Sequence, residues 1–187
     1  MDLHMVQAGE NFADAARMDD VNREAFPKEE RVPTEELLRM ARKGFIRILA
    51  LYDREDFIGF LSYLIHGSLF YITFFAIDHS RRNRGYGGAV LQSLREQYPG
   101  RQFVLDLEPL DSAAENLPQR RRRRAFYLRN GFHATSYFLR YRGLTFEILC
   151  TGGVFDREGF SALMDTLRSP AFQPVLFRRS EESGRQG

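Results

Sequence analysis

The stretch from Leu69 to Leu94 constrains the fold of this chain more than any other part of the sequence. It begins with nine residues, LFYITFFAI, which are rich in β-branched and aromatic side chains and predict a strand buried on both faces. A turn rich in glycine and arginine, DHSRRNRGYGG, follows, and apolar residues at helical spacing then predict a helix. This arrangement favours phosphate binding, because the first amides of a helix have no internal partners and the helix dipole makes that end positive.

Length and cysteine content limit the class of protein. We expect one domain over residues 1–179, followed by a polar, disordered tail at residues 180–187. The one cysteine, Cys150, allows no internal disulfide, which fits a reducing compartment. No apolar run is long enough to span a membrane, and the first twenty residues lack the pattern of a signal peptide, so we expect a cytoplasmic protein with no membrane partner.

The charge distribution is uneven. The net charge of +2 argues against a dedicated nucleic-acid-binding protein. Residues 81–129 nevertheless hold 11 arginines against 5 acidic residues, so positive charge is concentrated around the glycine-rich turn and a later run, RRRRR, at residues 120–124. The four histidines have no metal-like spacing, and we expect no metal site.

Periodicity and turn residues predict one mixed sheet flanked by helices. The predicted helices cover residues 12–26, about 34–44 with Thr34 as N-cap, about 89–98, 118–130 and 156–168. The predicted strands cover residues 4–7, 45–52, 57–65, 69–77, 103–108, 133–141 and 144–150. The last two are predicted to form a hairpin across the two-residue turn Arg142-Gly143. We therefore predict an α/β (α+β layered) fold whose single sheet is mostly antiparallel.

Two short motifs sharpen the functional prediction. Residues 82–87 read R-x-x-G-x-G, and residues 126–132 read FYLRNGF. Taken separately, they describe a surface turn and the glycine-capped end of a helix; the first is neither a Walker loop nor a full Rossmann fingerprint. Together, and in this order of elements, residues 45–141 resemble the GNAT superfamily of N-acetyltransferases, which use acetyl-CoA.

The resemblance implies a set of cofactor contacts. The backbone amides of Asn83, Arg84, Gly85, Tyr86, Gly87 and Gly88 would hold the pyrophosphate of coenzyme A, with Arg82 beside them. The strand end Phe75, Ala76 and Ile77 would pair with the pantetheine arm and polarise the thioester carbonyl. Arg123, or its neighbours Arg120 and Arg124, would contact the coenzyme A phosphates or an acidic acceptor.

The sequence also departs from the family pattern. His79 stands where proline is frequent and Asn83 where glycine is frequent, although asparagine tolerates a left-handed backbone better than most residues. Arg120 and Arg123 occupy positions that are often Asn and Ala in the family. The local contacts of the cofactor are therefore expected to differ from those of other members.

The reaction needs an acid and a means of deprotonating the amine. The resemblance assigns the acid to Tyr127, which would protonate the departing thiolate. An amine must be neutral to attack a thioester, and we name Glu108 as the base, with Asp106, on the same face of its strand, or a water chain as alternatives. The tetrahedral oxyanion also needs a hydrogen-bond donor.

We therefore predict an acetyl-CoA-dependent N-acetyltransferase that acts by direct transfer in a ternary complex. The acceptor is a primary amine on a small molecule, peptide or protein. The alternatives are a non-catalytic sensor or scaffold that binds acyl-CoA, and a basic nucleic-acid-binding domain that uses the two arginine clusters. Aromatic residues at 137, 138 and 141 could pair two copies in a homodimer.

Overall fold

The computed structural model describes residues 1–9 and 11–179, and eight strands and five α-helices lie within them. The strands are β1 Leu3–Gln7, β2 Arg47–Asp53, β3 Asp56–His66, β4 Leu69–Ile77, β5 Gln102–Leu107, β6 Phe132–Tyr141, β7 Leu144–Thr151 and β8 Val175–Arg178. The helices are α1 Ala15–Ala25, α2 Thr34–Arg42, α3 Tyr86–Gln97, α4 Leu117–Arg129 and α5 Arg157–Leu167, and a short 3-10 helix covers His79–Arg81. The predicted tail at residues 180–187 lies outside the described residues.

The strands form one sheet in the order β1-β2-β3-β4-β5-β7-β6-β8, which confirms the predicted fold class. β1–β2, β2–β3, β5–β7, β6–β7 and β6–β8 are antiparallel pairs. The starts of the neighbouring strands β4 and β5 lie side by side, since the Gln102 N–H donates to the Ser68 carbonyl at 2.9 Å and the Phe70 ring stacks on Phe103 with centroids 4.5 Å apart. The two strands therefore run parallel. Parallel neighbours need a crossover connection, and α3 lies between β4 and β5 in the chain.

The described residues divide into two compact units. The first comprises residues 1–64 and 72–99, and the second residues 65–71 and 100–179. In the first unit the apolar faces of α1 and α2 join the core under β2 and β3, where Met18, Leu37, Ile48 and Phe60 are almost fully buried. Burial of each such side chain contributes about 1.5–3 kcal/mol. That all of residues 1–179 act as one domain stays a prediction.

The start of α2 differs from the predicted cap. Pro33, not Thr34, occupies the N-cap position, and Thr34 is the first helical residue. The Thr34 hydroxyl accepts a hydrogen bond from the Asn22 side chain of α1 at 3.2 Å, and both residues are buried. The hydroxyl therefore links the two helices, a contact that local sequence patterns do not reveal.

The second unit contains a predicted hairpin and an unpredicted strand. β6 and β7 are joined by Arg142 and Gly143, whose φ angles of 51° and 74° suit the type of two-residue turn that was predicted. β8 was not predicted; it pairs with β6 from Tyr137 opposite Arg178 to Arg140 opposite Val175. Four residues are too few for alternation to identify a strand.

Candidate active site

In the first unit, the carboxyl end of β4 lies against β3 at an unusually close approach. Gly59 of β3 has φ +153°, and a Cβ atom built on it would lie 2.2 Å from the carbonyl oxygen of Ala76. The Asp78 N–H donates to the Ile58 carbonyl at 2.8 Å, immediately beyond β4. The position of Phe75–Ile77, the predicted pantetheine-binding segment, therefore depends on Gly59, which lies in neither of the two sequence motifs. A glycine inside an apolar strand is itself a signal of close backbone approach.

The loop after β4 has a defined backbone. The Asp78 carboxylate accepts hydrogen bonds from the backbone N–H and the hydroxyl of Ser80, at 2.8 and 2.6 Å, and so starts the 3-10 turn. Two residues then adopt left-handed conformations, Asn83 with φ +61° and Gly85 with φ +85°. The asparagine thus supplies the backbone angle that a glycine often supplies in the family. α3 begins directly afterwards, at Tyr86.

The loop presents a series of unused hydrogen-bond donors. Within residues 1–9 and 11–179, no acceptor is bonded to the backbone N–H groups of the six consecutive residues 83–88. The N-cap residue Gly85 brings no side-chain cap, and residues 82–85 are exposed. Six adjacent N–H donors at a helix N-terminus form a site suited to an anion.

The arginines of the loop have different environments. Arg81 forms an ion pair with Asp56 at 2.6 Å. Arg82 donates from Nε to the Ile77 carbonyl at 2.9 Å and lies 3.8 Å from Glu24. Arg84 is exposed and has no ion pair within the part of the chain that the structure describes. Its charge is therefore available to a ligand.

In the second unit, Tyr127 is a buried phenol on α4. Its side chain is 7% exposed, and its ring makes edge contacts with Phe126 and Phe132. Burial raises the pKa of Tyr127 to about 12; the positive charge of Arg123 opposes this rise and the negative charge of Asp106 adds to it. Its hydroxyl has no hydrogen-bond partner among the described residues. At neutral pH Tyr127 therefore carries a proton that it can donate.

Glu108, just beyond β5, is a buried carboxylate held by α4. It is 6% exposed, and its two oxygens lie 2.7 Å from Arg120 and 3.4 Å from Arg123. The Asn116 amide donates to the same carboxylate at 3.1 Å. Glu108 would have to give up part of this set of donors in order to accept a proton from an amine.

Asp106 of β5, the alternative base, has a different environment. It accepts hydrogen bonds from the hydroxyl groups of Tyr71 and Tyr141, the second at 3.0 Å. Burial raises the pKa of Asp106, and the two tyrosine hydrogen bonds oppose the rise. A carboxylate whose pKa is raised in this way accepts a proton more readily than an exposed one.

The five-arginine run is mostly paired inside the second unit. Arg120 and Arg123 contact Glu108, and Arg124 forms two parallel hydrogen bonds with Glu147, both at 3.0 Å. Arg121 and Arg122 are exposed. Three of the five guanidinium groups therefore contact internal carboxylates, two of them the same one.

Residues 1–9 and 11–179 contain neither a metal-binding cluster nor a membrane-spanning helix. No group of three or more His, Cys, Asp or Glu side chains could hold a metal ion, and no helix is both long and apolar enough to cross a bilayer. Cys150 is buried, and burial raises its pKa to about 11, so its thiol is a core group and a poor nucleophile.

Comparisons with known proteins agree with this geometry. Residues 44–134 match the model of the acetyltransferase (GNAT) domain, whereas no curated protein sequence matches. A solved structure from Bacteroides thetaiotaomicron, described as an acetyltransferase of the GNAT family, is 25% identical with a TM-score of 0.68, over 88% of this chain and 95% of that chain.

Two further solved structures share the fold. PaiA N-acetyltransferase from Thermoplasma acidophilum, in complex with coenzyme A, is 16% identical with a TM-score of 0.59, over 82% of this chain and 100% of that chain. A GNAT family acetyltransferase from Elizabethkingia anophelis, with acetyl-CoA bound, is 11% identical with a TM-score of 0.56, over 81% of this chain and 99% of that chain. The domain match over residues 44–134 and the fold together identify a GNAT acetyltransferase domain in this chain.

Proposed function

We propose that this protein transfers an acetyl group from acetyl-CoA to a primary amine by direct attack in a ternary complex. The observation that carries the proposal is the loop after β4, where six consecutive N–H groups and the Arg84 side chain have no partner among the described residues. Two proteins of the same fold hold coenzyme A or acetyl-CoA in their structures. Pyrophosphate is an anion of the kind that such a loop binds.

The first unit would hold the donor. In this proposal the amides of residues 83–88 bind the pyrophosphate, while Arg82 and Arg84 neutralise part of its charge. The backbone of Phe75–Ile77 pairs with the pantetheine arm, and one of its amides polarises the thioester carbonyl. An amide in this position would stabilise the oxyanion that forms when the amine attacks.

The second unit would supply the acid. Tyr127 gives its proton to the departing thiolate of coenzyme A as the tetrahedral intermediate collapses. Burial raises the pKa of Tyr127 to about 12, so the phenol is protonated throughout the neutral range, and contact with the departing thiolate would have to lower that pKa for the proton to transfer. In the same proposal Arg123 takes part in binding coenzyme A, although its guanidinium already contacts Glu108.

The base is proposed from three alternatives. Glu108 stays the first candidate, but its contacts with Arg120, Arg123 and Asn116 also suit an anchor for α4. Asp106 has the raised pKa that a base needs. A water chain can replace either group. Glu108→Gln should reduce the rate at saturating amine if Glu108 accepts the proton. If Glu108 only anchors α4, the same variant should mainly lower the stability of the protein.

Two other functions compete with catalysis. A non-catalytic acyl-CoA sensor would use the same loop, so only a turnover assay separates it from an enzyme. A nucleic-acid-binding domain would use the arginine run, but Arg120, Arg123 and Arg124 are already paired with Glu108 and Glu147. Binding to nucleic acid would fall steeply with salt and would be indifferent to acetyl-CoA.

The decisive first experiment is a thermal shift. Acetyl-CoA at about 100 times its Kd should stabilise the protein by about 2.7 kcal/mol, or about 5–10 °C in Tm. Gly85→Glu should abolish this shift, because Gly85 has a left-handed backbone and a carboxylate there would repel the phosphates. Absence of a shift at millimolar acetyl-CoA in the wild type would refute the donor proposal.

The second experiment tests turnover and the acid. Release of free thiol from acetyl-CoA, measured with a panel of small amines and peptides, identifies the acceptor. Tyr127→Phe should then lower kcat while leaving the thermal shift with acetyl-CoA near that of the wild type. Full activity in this variant would remove Tyr127 from the mechanism.

Location and assembly are part of the proposal. We place the protein in the cytoplasm, because its one cysteine is buried and free. A homodimer through the aromatic residues of β6 also stays a prediction. Light scattering at two concentrations would test it.

A further inference from the structure

We propose that the turn between β2 and β3, residues 53–56, is a positioning element for the cofactor loop, residues 81–86. It would hold the loop at its first and last residues and so keep the six amides ready for pyrophosphate. The proposal rests on the function proposed above, and it adds residues that neither the motifs nor the family resemblance assigned.

Two acidic side chains of the turn contact the two ends of the loop. Asp56 forms an ion pair with Arg81, the first loop residue, with Nη2 and Oδ2 2.6 Å apart. Asp53 accepts a short hydrogen bond from the hydroxyl of Tyr86, the last loop residue and the first residue of α3. The turn thus contacts the loop on both sides of its left-handed residues, Asn83 and Gly85.

The remaining contacts of these groups make the arrangement rigid. Asp53 also accepts a hydrogen bond from the Asp2 backbone N–H at 2.7 Å, and the Arg54 N–H donates to the Asp2 carbonyl at 2.9 Å. The Tyr86 ring is only 6% exposed although its hydroxyl reaches the turn. The hydrogen bond from Tyr86, and then that from Asp2, lowers the pKa of Asp53, so this carboxylate is charged at neutral pH.

The loop needs such restraint because its own backbone supplies little. The N–H groups of residues 83–88 make no hydrogen bonds in the described part of the chain, so they do not hold the loop in place. Ordering each residue of a free loop costs about 1–2 kcal/mol. A loop that is already ordered leaves more of the interaction energy available for the ligand.

Neutral replacement of Asp53 or Asp56 should change the affinity for acetyl-CoA in opposite directions under the two explanations, positioning of the loop and long-range charge repulsion. Asp53 and Asp56 are negative groups near a site for an anion. If they acted only through their charge, neutral replacements would strengthen acetyl-CoA binding. If they position the loop, the same replacements weaken it.

The test compares two acetyl-group donors, only one of which carries the pyrophosphate that would bind the loop. Acetyl-CoA contains the pyrophosphate, whereas acetyl-pantetheine does not. Tyr86→Phe keeps the buried ring and all charges and removes only the hydroxyl. It should raise the Kd for acetyl-CoA about tenfold, the lower end of what one hydrogen bond to a charged group contributes, and leave the Kd for acetyl-pantetheine unchanged.

A matched control lies just beyond the other end of α3. Tyr98 follows α3 at its other end, and its hydroxyl lies 3.1 Å from that of Tyr63. Tyr98→Phe therefore removes a hydroxyl of the same kind away from the loop and should leave both dissociation constants unchanged. Asp56→Asn should weaken acetyl-CoA binding about threefold, because Arg81 loses its charged partner.

Three outcomes would overturn the proposal. Unchanged or tighter acetyl-CoA binding in Tyr86→Phe and Asp56→Asn would show that the turn does not position the loop. An equal loss for both donors would show a general loss of structure instead. If the wild type itself fails to bind acetyl-CoA, the proposed function fails, and that result is distinct because it precedes any comparison of variants.

Discussion

Gly59→Ala tests whether the close approach of β3 to β4 is essential. The added Cβ would lie 2.2 Å from the Ala76 carbonyl oxygen and 3.0 Å from the Ile77 Cα, and both are backbone atoms that no side-chain rotation can move aside. The two strands would have to separate by about 1 Å, which is a case of overpacking. The φ of +153° adds strain for any residue with a side chain.

The two effects together should destabilise the protein by about 3 kcal/mol, which corresponds to a fall in Tm of about 6–12 °C for a chain of this size. Displacing Phe75–Ile77 by about 1 Å should also lower kcat/KM about 100-fold if these residues align the thioester.

Differential scanning calorimetry and a thiol-release assay measure the two effects on the same samples. Gly153→Ala is the control, because nothing lies within 4 Å of the added Cβ and its φ is not in the left-handed region. The reasoning is refuted if Gly59→Ala and Gly153→Ala melt at the same temperature. A large fall in Tm with normal kcat/KM would instead refute only the link from β4 to the thioester.

Two further predictions concern buried ionisable groups. Arg124→Met leaves the mostly buried Glu147 without its bidentate partner and should lower the free energy of unfolding by about 2 kcal/mol, or Tm by about 4–8 °C. Arg122→Met, on the exposed side, should change stability by less than about 0.5 kcal/mol. Equal melting temperatures of the two variants would contradict this prediction. Burial raises the pKa of Tyr52, Tyr63 and Tyr127 to about 12, so the stability that these protonated phenols contribute is complete below pH ~10 and is lost as the pH rises towards 12. Tyrosinate absorbance should therefore rise together with the loss of circular dichroism, and titration of all eight tyrosines near pH ~10 in a folded protein would count against it.

Sequence patterns correctly predicted those elements that are determined by residues close together in the chain. β4 was predicted with the observed bounds, because its nine residues are apolar and flanked by turn residues. The β6–β7 hairpin followed from one two-residue turn. The tyrosine in FYLRNGF falls on α4 as expected, and it is buried.

The features that were missed depend on residues far apart in the chain. The Thr34 hydroxyl caps no helix and instead accepts a hydrogen bond from the side chain of Asn22, twelve residues earlier. The run of arginines looked like a ligand surface, yet Arg124 is paired with Glu147, 23 residues later. β8 is stabilised by its pairing with β6, about 40 residues away in sequence. Periodicity describes one element at a time, so it does not identify partners of this kind.

The unbonded amides after β4 have a practical consequence for any measurement on this protein. Six N–H donors without an acceptor in the described residues do not distinguish the pyrophosphate of a cofactor from a free tetrahedral anion. Inorganic phosphate and sulfate should therefore compete with acetyl-CoA, so its KM should depend on the buffer as well as on the protein. In a cell, the degree of saturation with acetyl-CoA would then follow the level of free phosphate, and assays in phosphate buffer would understate the affinity.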